Sequence, residues 1–349
     1  MELRLKNKLR ENIISITISL ILTLFITSVI ILLIGKNPFD IFGIIISEVF
    51  GSGYGLGQAL FKATPLIITG SALAICFHAS LFNIGAEGQL NLGAFVMSLA
   101  AFYFSALPAY LLFPVVIILG FAVSAFWGYI PAIIKIKKGV SEVITTIMMN
   151  FIAMALINFL LIEFFAVKST VRTEKIADWI MIPKLSAYFQ FFQGSSVNLT
   201  FFIALALAFA VYFMLYKTKF GYYIKAVGFN ETAAKYIGIK NNRIMLLSFL
   251  IGSGLTSLVG LNFVLGYKGY YEFGFSNNLG FTAIAVALLA KNNPIGIIFT
   301  SLLFGMLDYG GLTVNTVIPK EIMFVVQAVV ILSILSVDKI VNNYFQSKD

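Results

Sequence analysis

A carboxylate and several amides stand close together inside a strongly apolar part of the chain. Within the stretch LFNIGAEGQLNLGAF (residues 81–95), Glu87 lies among Asn83, Gln89 and Asn91. An aspartate at the centre of a bilayer costs about 2.5–3.5 kcal/mol on insertion scales, so ionisable residues in apolar segments usually face a partner or a cavity. Three glycines interrupt the stretch, and we therefore expect the helix to be broken there.

Two roles are open for this stretch. If the apolar segments on both sides cross the membrane completely, Glu87 lies at an inner turn and is solvated. If they are half-helices, the polar residues lie deep along a substrate path, as in transporters with discontinuous helices. Amides and a carboxylate at that depth suit a ligand rich in hydroxyls and ring nitrogens. We favour the second role and predict five substrate-pathway residues, named the polar cluster below: Asn83, Glu87, Gln89, Asn91 and Asn150.

Other polar residues within apolar segments fit a structural role better. Isolated amides such as Asn158 and Asn262 commonly hydrogen-bond between helices and hold a bundle together. The single histidine, His78, lies near Cys76 on an apolar face, which is typical of a satisfied core histidine.

The elements that position these residues are predicted to be membrane helices. Hydrophobic residues form 60% of the 349 residues, charged residues form 11%, and the mean hydropathy is +0.96. A soluble domain is typically about a quarter charged. We predict an all-α polytopic membrane protein, one membrane domain over residues 1–349, with about ten transmembrane or half-membrane helices. The apolar segments are 13–34, 64–82, 86–106, 110–134, 143–165, 199–216, 244–265, 279–290, 295–307 and 322–337. The eighth and ninth segments are too short to span a bilayer when straight.

The distribution of charge predicts the orientation. If the N-terminus is cytoplasmic and every segment crosses, two thirds of the 24 Lys and Arg residues fall in inner loops, whereas cations and acids balance in the outer loops. Cytoplasmic loops of membrane proteins carry this excess of Lys and Arg. We therefore predict a multi-pass protein with both termini in the cytoplasm. The formal charge of +9 is a topology signal and gives no support for nucleic-acid binding.

The sequence lacks the residues that common catalytic and metal sites require. One Cys and one His provide neither a disulfide framework nor a Cys/His metal cluster. The chain has no G-x-x-x-x-G-K-[ST] phosphate loop, no H-E-x-x-H and no G-x-S-x-G motif. The serines of GSSV (194–197) lie in a polar loop and His78 deep in an apolar segment, which argues against an intramembrane protease. We predict that the chain is not an enzyme and holds no cofactor or metal of its own.

Two long loops separate the segments. The 166–198 loop is predicted to be extracytoplasmic, and its mixture of charged and apolar pieces indicates either a short amphipathic element on the membrane surface or a solvated connector. The 217–243 loop is predicted to be cytoplasmic. It contains a helix-forming core, residues 231–236, between Gly228 and Gly238, which we expect to act as flexible ends.

Four blocks of sequence resemble one family of membrane transporters. They are LFNIGAEGQLNLGAF (81–95), GVSEVITTIMMNF (139–151), AVGFNETAAKYIGI (226–239) and GFTAIAVALLAKNNPIG (280–296). In this order they resemble the permease subunits of ABC importers for nucleosides and simple sugars, in the superfamily of branched-chain amino acid and ribose permeases. The first and last blocks point to the nucleoside branch. One departure is Ala290–Lys291, where the family more often has Leu-Gly before the Asn-Pro.

The resemblance implies the transmembrane subunit of an ATP-driven importer in the cytoplasmic membrane of a bacterium, with nucleosides as substrates. A simple-sugar permease is the first alternative, and an ion-coupled secondary carrier is a weaker one. The implied partners are an ABC ATPase that binds ATP and Mg, an extracytoplasmic substrate-binding (lipo)protein, and a second, related permease in a heterodimer.

The resemblance also assigns roles to the two long loops. The ATPase would push on the 217–243 loop, since a chain without an ATP site needs an external source of energy. The coupling residues expected there are Gly228, Asn230, Glu231, Ala233, Ala234, Tyr236 and Gly238. Basic residues of the 166–198 loop are expected to dock the binding protein, namely Arg172, Lys175 and Lys184.

Overall fold

The computed structural model describes residues 2–319 and 321–346. These residues form helices, and their only strand-like pairs are three isolated β-bridges, so the predicted all-α class is confirmed. The α-helices are α1 (Glu2–Leu33), α2 (Pro38–Phe50), α3 (Gly53–His78), α4 (Ala86–Tyr103), α5 (Ala109–Lys138), α6 (Glu142–Leu160), α7 (Thr200–Lys217), α8 (Lys219–Phe229), α9 (Glu231–Tyr236), α10 (Asn241–Thr256), α11 (Leu279–Leu289), α12 (Pro294–Thr313) and α13 (Glu321–Gln346). Two π-helical segments lie beyond α6 and α10, at Leu161–Phe165 and Leu261–Lys268.

The number of membrane spans is lower than predicted. Among the described residues, six helices are long and apolar enough to cross a membrane: Gly53–His78, Ala109–Lys138, Glu142–Phe165, Thr200–Lys217, Asn241–Lys268 and Pro294–Thr316. A seventh span results if Thr17–Leu33 and Pro38–Phe50, which are bent by 115°, count as one. Helix α4 is too polar in its first turns to count as a span, and α11 has only 11 residues, which is too short. Segment 295–307 was predicted to be too short, but the helix continues through MLDYGGLT.

The contacts of the chain group into two units. The first combines Met1–Ala59 with Met306–Asp349, and the second comprises Leu60–Gly305. In the first unit, Tyr54 and Tyr309 pack edge to face with ring centroids 6.4 Å apart. The second unit contains the polar cluster and both long loops.

Helix α4 packs against α5, α6 and α10. The predicted break lies at Gly85 but not at Gly88 or Gly93, because α4 begins directly after Gly85 and runs through the other two glycines without interruption. A Cβ at Gly88 would lie 2.8 Å from the Cβ of Ala153 in α6, and a Cβ at Gly93 would lie 2.4 Å from the Cβ of Ser257. Small residues let helix backbones approach closely in membrane proteins. The glycines therefore serve helix packing, and the non-helical segment is the turn 79–85 before α4.

Candidate functional site

A reciprocal pair of amides fixes the turn 79–85. Asn83 donates from Nδ2 to Oε1 of Gln89 at 2.9 Å, and Gln89 donates from Nε2 to Oδ1 of Asn83 at 3.1 Å. Oδ1 of Asn83 also accepts the N–H of Gly85 at 3.0 Å. Ser124 of α5 donates its hydroxyl to the carbonyl of Gln89 at 2.7 Å. The pair thus joins the start of α4 both to its own turn and to a neighbouring helix.

Asn150 connects α6 to the same turn. Its Oδ1 accepts the N–H of Gly88 at 2.8 Å, and its Nδ2 donates to the carbonyl of Ile84 at 2.8 Å. The first N–H groups of a helix have no partner within that helix, and Gly88 lies in the first turn of α4. Asn150 therefore caps α4 from another helix.

Glu87 joins α4 to the short helix α11. Its Oε2 accepts the N–H of Gly280 at 2.6 Å, and its Oε1 accepts the hydroxyl of Ser276. Gly280 is the second residue of α11, so the carboxylate lies at the positive end of that helix dipole, where a negative charge is stabilised. A Cβ at Gly280 would lie 2.7 Å from the Cα of Glu87, which explains the glycine at this position.

A chain of hydrogen bonds leads from Glu87 to Thr173 in the 166–198 loop. Asn91 donates from Nδ2 to Oγ of Ser276 at 2.9 Å, and the hydroxyl of Tyr271 donates to Oδ1 of Asn91 at 3.2 Å. The N–H of Tyr271 donates to Oγ1 of Thr173 at 3.0 Å. Burial, and secondarily the charge of Glu87, raise the pKa of the Tyr271 hydroxyl, so this group stays protonated and acts as a donor.

All five residues of the polar cluster are buried, with exposed fractions between 0% and 7%, and all five bond to protein groups. This burial contradicts the solvation of Glu87 that was expected at an inner turn, whereas the 26 residues of α3, long and apolar enough to cross completely, contradict the half-helix that the substrate-path role assumed on that side. The sequence did not single out Ser276 or Tyr271, and it marked Gly280 only as the first residue of a block that resembles the permease family; all three reach the cluster from a distant part of the chain. No pattern near these three residues marks them as partners of α4.

The turn 79–85 also contacts α8. Ser80 donates its hydroxyl to the carbonyl of Gly228 at 2.6 Å. A Cβ at Gly228 would lie 2.1 Å from the carbonyl oxygen of His78, so the close approach requires glycine. Gly228 lies inside α8 and is therefore not the flexible end that was predicted. The His78 ring bonds through Nδ1 to the carbonyl of Ala74 at 2.8 Å, in agreement with the expected structural role.

The predicted short helix of the 217–243 loop is confirmed as α9, with the expected bounds Glu231–Tyr236. Asn230 is its N-cap and accepts the N–H of Ala233 at 2.9 Å. Gly238 follows the helix with φ +84°, the left-handed conformation in which helices commonly end. The stop signal at Gly238 therefore lies where the sequence placed it, whereas the helix starts at the cap Asn230 and not at Gly228.

Helix α9 has one buried and one exposed side. Ala234 is 2% exposed and belongs to a core cluster with Ile75 and Val227, contrary to the expectation that it contacts a partner. Phe229 and Tyr236 are 95% and 87% exposed. Phe229 and Tyr236 are therefore the two most exposed aromatic rings of the 217–243 loop, with the exposed Ala233 between them in sequence.

The 166–198 loop is packed into the second unit. It donates backbone hydrogen bonds from Thr173, Ile176 and Ile182 to carbonyl groups of residues 265–271, at 2.8–2.9 Å. Ile176 and Ile182 are buried, and so is Ile180 in a short 3₁₀ turn. A solvated connector does not describe this loop, whereas the short amphipathic element on the membrane surface stays a prediction, since Trp179 is exposed beside the buried Ile180.

The three basic residues predicted to dock a binding protein differ in their surroundings. Lys175 forms an ion pair with Asp178, with 2.7 Å between Nζ and Oδ1. The guanidinium carbon of Arg172 lies 4.6 Å from the ring centroid of Tyr270. Lys184 is exposed, and its Nζ lies 5.9 Å from the ring centroid of Tyr267.

Comparisons with known proteins agree with this architecture. Residues 55–335 match the family described as branched-chain amino acid transport system / permease component. The chain is 33% identical over 336 residues to the nucleoside ABC transporter permease protein NupB of Lactococcus lactis, covering 94% of this chain and 91% of NupB. It is 33% identical over 324 residues to the guanosine ABC transporter permease protein NupP of Bacillus subtilis, covering 91% and 92%. It is 32% identical over 308 residues to the glucose ABC transporter permease protein TsgB13 of Haloferax volcanii, covering 86% and 81%. The chain therefore belongs to the family of branched-chain amino acid transport system permease components.

Proposed function

We propose that the chain is the transmembrane subunit of an ATP-driven importer that moves nucleosides across the cytoplasmic membrane of a bacterium. The observation that carries this proposal is the similarity, along more than nine tenths of the chain, to two permeases named for nucleoside and guanosine transport. The glucose permease relative, which is similar over a smaller share of the chain, supports the simple-sugar alternative.

Uptake into vesicles that contain the complete transporter tests the substrate. Labelled guanosine, glucose and ribose are supplied separately, with ATP on the side of the ATPase. We expect ATP-dependent accumulation of guanosine that an excess of unlabelled nucleoside inhibits and an excess of either sugar does not. If a sugar accumulates and unlabelled nucleoside does not inhibit its uptake, the substrate is a sugar and not a nucleoside. Accumulation by this chain alone, driven by an ion gradient, would identify a secondary carrier instead.

The proposed importer needs an ABC ATPase that binds ATP and Mg, an extracytoplasmic substrate-binding (lipo)protein and a second, related permease. Contacts between loops support the orientation that this assembly requires. The turn 79–85 bonds to Gly228 and to Glu142 at the start of α6, so three segments predicted to be cytoplasmic lie together. The 166–198 loop bonds to residues 265–271, both predicted to be extracytoplasmic. We propose that both termini are cytoplasmic.

We assign the substrate gate to the polar cluster. Its side chains hold the first turn of α11 against α4. The hydroxyls and ring nitrogens of a nucleoside form hydrogen bonds that can replace those within the cluster. Glu87→Gln keeps the shape, but its one acceptor oxygen can replace only one of the two carboxylate oxygens that accept from Gly280 and Ser276, and the negative charge at the start of α11 is lost. We expect uptake to fall about tenfold, the effect of losing one hydrogen bond to a charged group.

Glu163→Gln is the matched control for that variant, because Glu163 is an exposed carboxylate and loses the same charge. Its uptake should be normal, and both variants should assemble with the partner subunits. Normal uptake by Glu87→Gln would contradict the gate and leave the cluster a purely structural network.

Each long loop is assigned one partner contact. The 166–198 loop contacts the binding protein through Arg172, Lys175 and Lys184. The ATPase contact lies on the exposed side of the 217–243 loop, where Ala233 and Tyr236 reach the partner. The buried Ala234 and Gly228 act on this contact by positioning α9 and α8.

A further inference from the structure

A groove beside the 217–243 loop has a composition that the coupling role does not explain. It has a cavity volume of about 610 Å³ and lies between α8 and the segment that leads from α9 into α10. Phe220, Ile244 and Leu247 form its apolar part, whereas Lys240 and Arg243 form its basic part. The groove is therefore amphiphilic.

The lining of the groove is positively charged, although Lys240 also lines a second cavity together with Glu231. The groove lining includes two cations and the phenols of Tyr222 and Tyr223, but no carboxylate from the described part of the chain. Lys240 and Arg243 are both exposed, and neither forms an ion pair with a described residue. A concave surface with charge of one sign concentrates ligands of the opposite sign.

The groove also lies where two membrane spans end. The span Thr200–Lys217 ends just before α8, and the next span, Asn241–Lys268, begins beside Lys240. Leu247 belongs to the second turn of that span, at the depth at which acyl chains begin, whereas the side chain of Ile244 is buried in a core cluster. Tyrosines are enriched at this level of a membrane, and Lys and Arg at span ends reach the headgroups.

We propose that this groove binds an anionic phospholipid, with the phosphate between Lys240 and Arg243 and the first part of an acyl chain along Phe220 and Leu247. The charge of the groove selects the anionic headgroup, and its apolar wall selects a lipid over a free phosphate. Gly238 also lines the groove, so a bound lipid contacts the connection between α9 and α10. The site does not depend on which solute the transporter carries.

Lipid retention by the full-length chain tests this site. The protein is released from vesicles of equal phosphatidylglycerol and phosphatidylcholine content, and retained lipids are counted by native mass spectrometry. The unaltered chain should retain phosphatidylglycerol preferentially, and Lys240→Gln/Arg243→Gln should reduce this preference roughly tenfold. Lys137→Gln/Lys138→Gln is the matched control, since it removes the same charge from the exposed end of α5, outside the groove lining, and should keep the preference.

Stability supplies a second readout. Phosphatidylglycerol should raise the unfolding temperature of the unaltered chain and of the control, but not that of Lys240→Gln/Arg243→Gln. Equal preference in both double variants, or no preference in the unaltered chain, would overturn the proposal. Displacement of the lipid by soluble glycerol phosphate at the same concentration would overturn the acyl contact. Loss of ATPase binding by Lys240→Gln/Arg243→Gln in pure phosphatidylcholine would assign the groove to the ATPase interface instead.

Discussion

The two long loops of the chain differ in whether their apolar side chains are buried or exposed. The 166–198 loop buries its isoleucines, bonds to the backbone of residues 265–271 and pairs Lys175 with Asp178. The 217–243 loop is helical and leaves Phe229 and Tyr236 almost fully exposed. The first loop completes the second unit of the fold, whereas the second presents a surface.

This difference predicts different kinds of partner contact. Exposed aromatic rings contribute much of the binding energy where they enter a partner's pocket, whereas charges at a rim mainly change the association rate. We therefore expect the 217–243 loop to determine how tightly its partner binds. The 166–198 loop should mainly affect how fast its partner docks.

The largest effect, a loss of stability, is expected from a variant that disrupts the contact between the 217–243 loop and the turn 79–85. Gly228→Ala places a Cβ 2.1 Å from the carbonyl oxygen of His78, where the obstacle is backbone. We expect a loss of about 1–3 kcal/mol of stability, the usual cost of overpacking, measured as a lower unfolding temperature of the purified protein. Transport should fall with it. Unchanged stability would mean that α8 can shift away from the turn 79–85 without a loss of free energy.

Reversing the charges of the 166–198 loop should have a smaller effect. Changing Arg172, Lys175 and Lys184 to Glu should slow binding-protein association several-fold at low salt, and less at high salt. Lys184→Glu alone should give most of the effect, because Lys175 is paired and Arg172 is stacked on a ring. Stopped-flow mixing measures the rate. An unchanged rate in the triple variant would leave the loop without a docking role.

The smallest effect is expected at Gly238, which lies in the same loop as Gly228 but has nothing within 4 Å of its Cβ position. Gly238→Ala should lower the free energy of unfolding by about 1–2 kcal/mol or less, because a residue with a Cβ is strained in the left-handed conformation. Unfolding temperatures of the two alanine variants provide the comparison. A larger loss for Gly238→Ala would contradict the packing explanation for Gly228.

Hydropathy and local stop signals predicted the fold class and the bounds of α9. The glycines of α4 were misread because a glycine in an apolar helix has two meanings, a break or a close contact. Gly88 has the second meaning, which depends on Ala153 in another helix. A sequence alone does not show which helix lies opposite.

The candidate site was predicted only in part for the same reason. A carboxylate among amides marked Glu87, but its partners Ser276 and Gly280 carry no comparable signal. The buried side of α9 was also missed, because a helix of 6 residues is too short to show which face is apolar. Ala234 therefore looked as available to a partner as Ala233.

Substrate-stimulated ATP hydrolysis by the assembled transporter tests most directly whether the exposed rings of the 217–243 loop contact the ATPase. Phe229→Ala/Tyr236→Ala should reduce the stimulation tenfold or more, roughly the loss of one binding hot spot, while binding-protein docking persists. Phe209→Ala/Phe213→Ala is the control, since it removes two rings that are 57% and 61% exposed on the span α7, and it should keep the stimulation. Normal stimulation in Phe229→Ala/Tyr236→Ala would contradict the assignment of the ATPase contact to this loop.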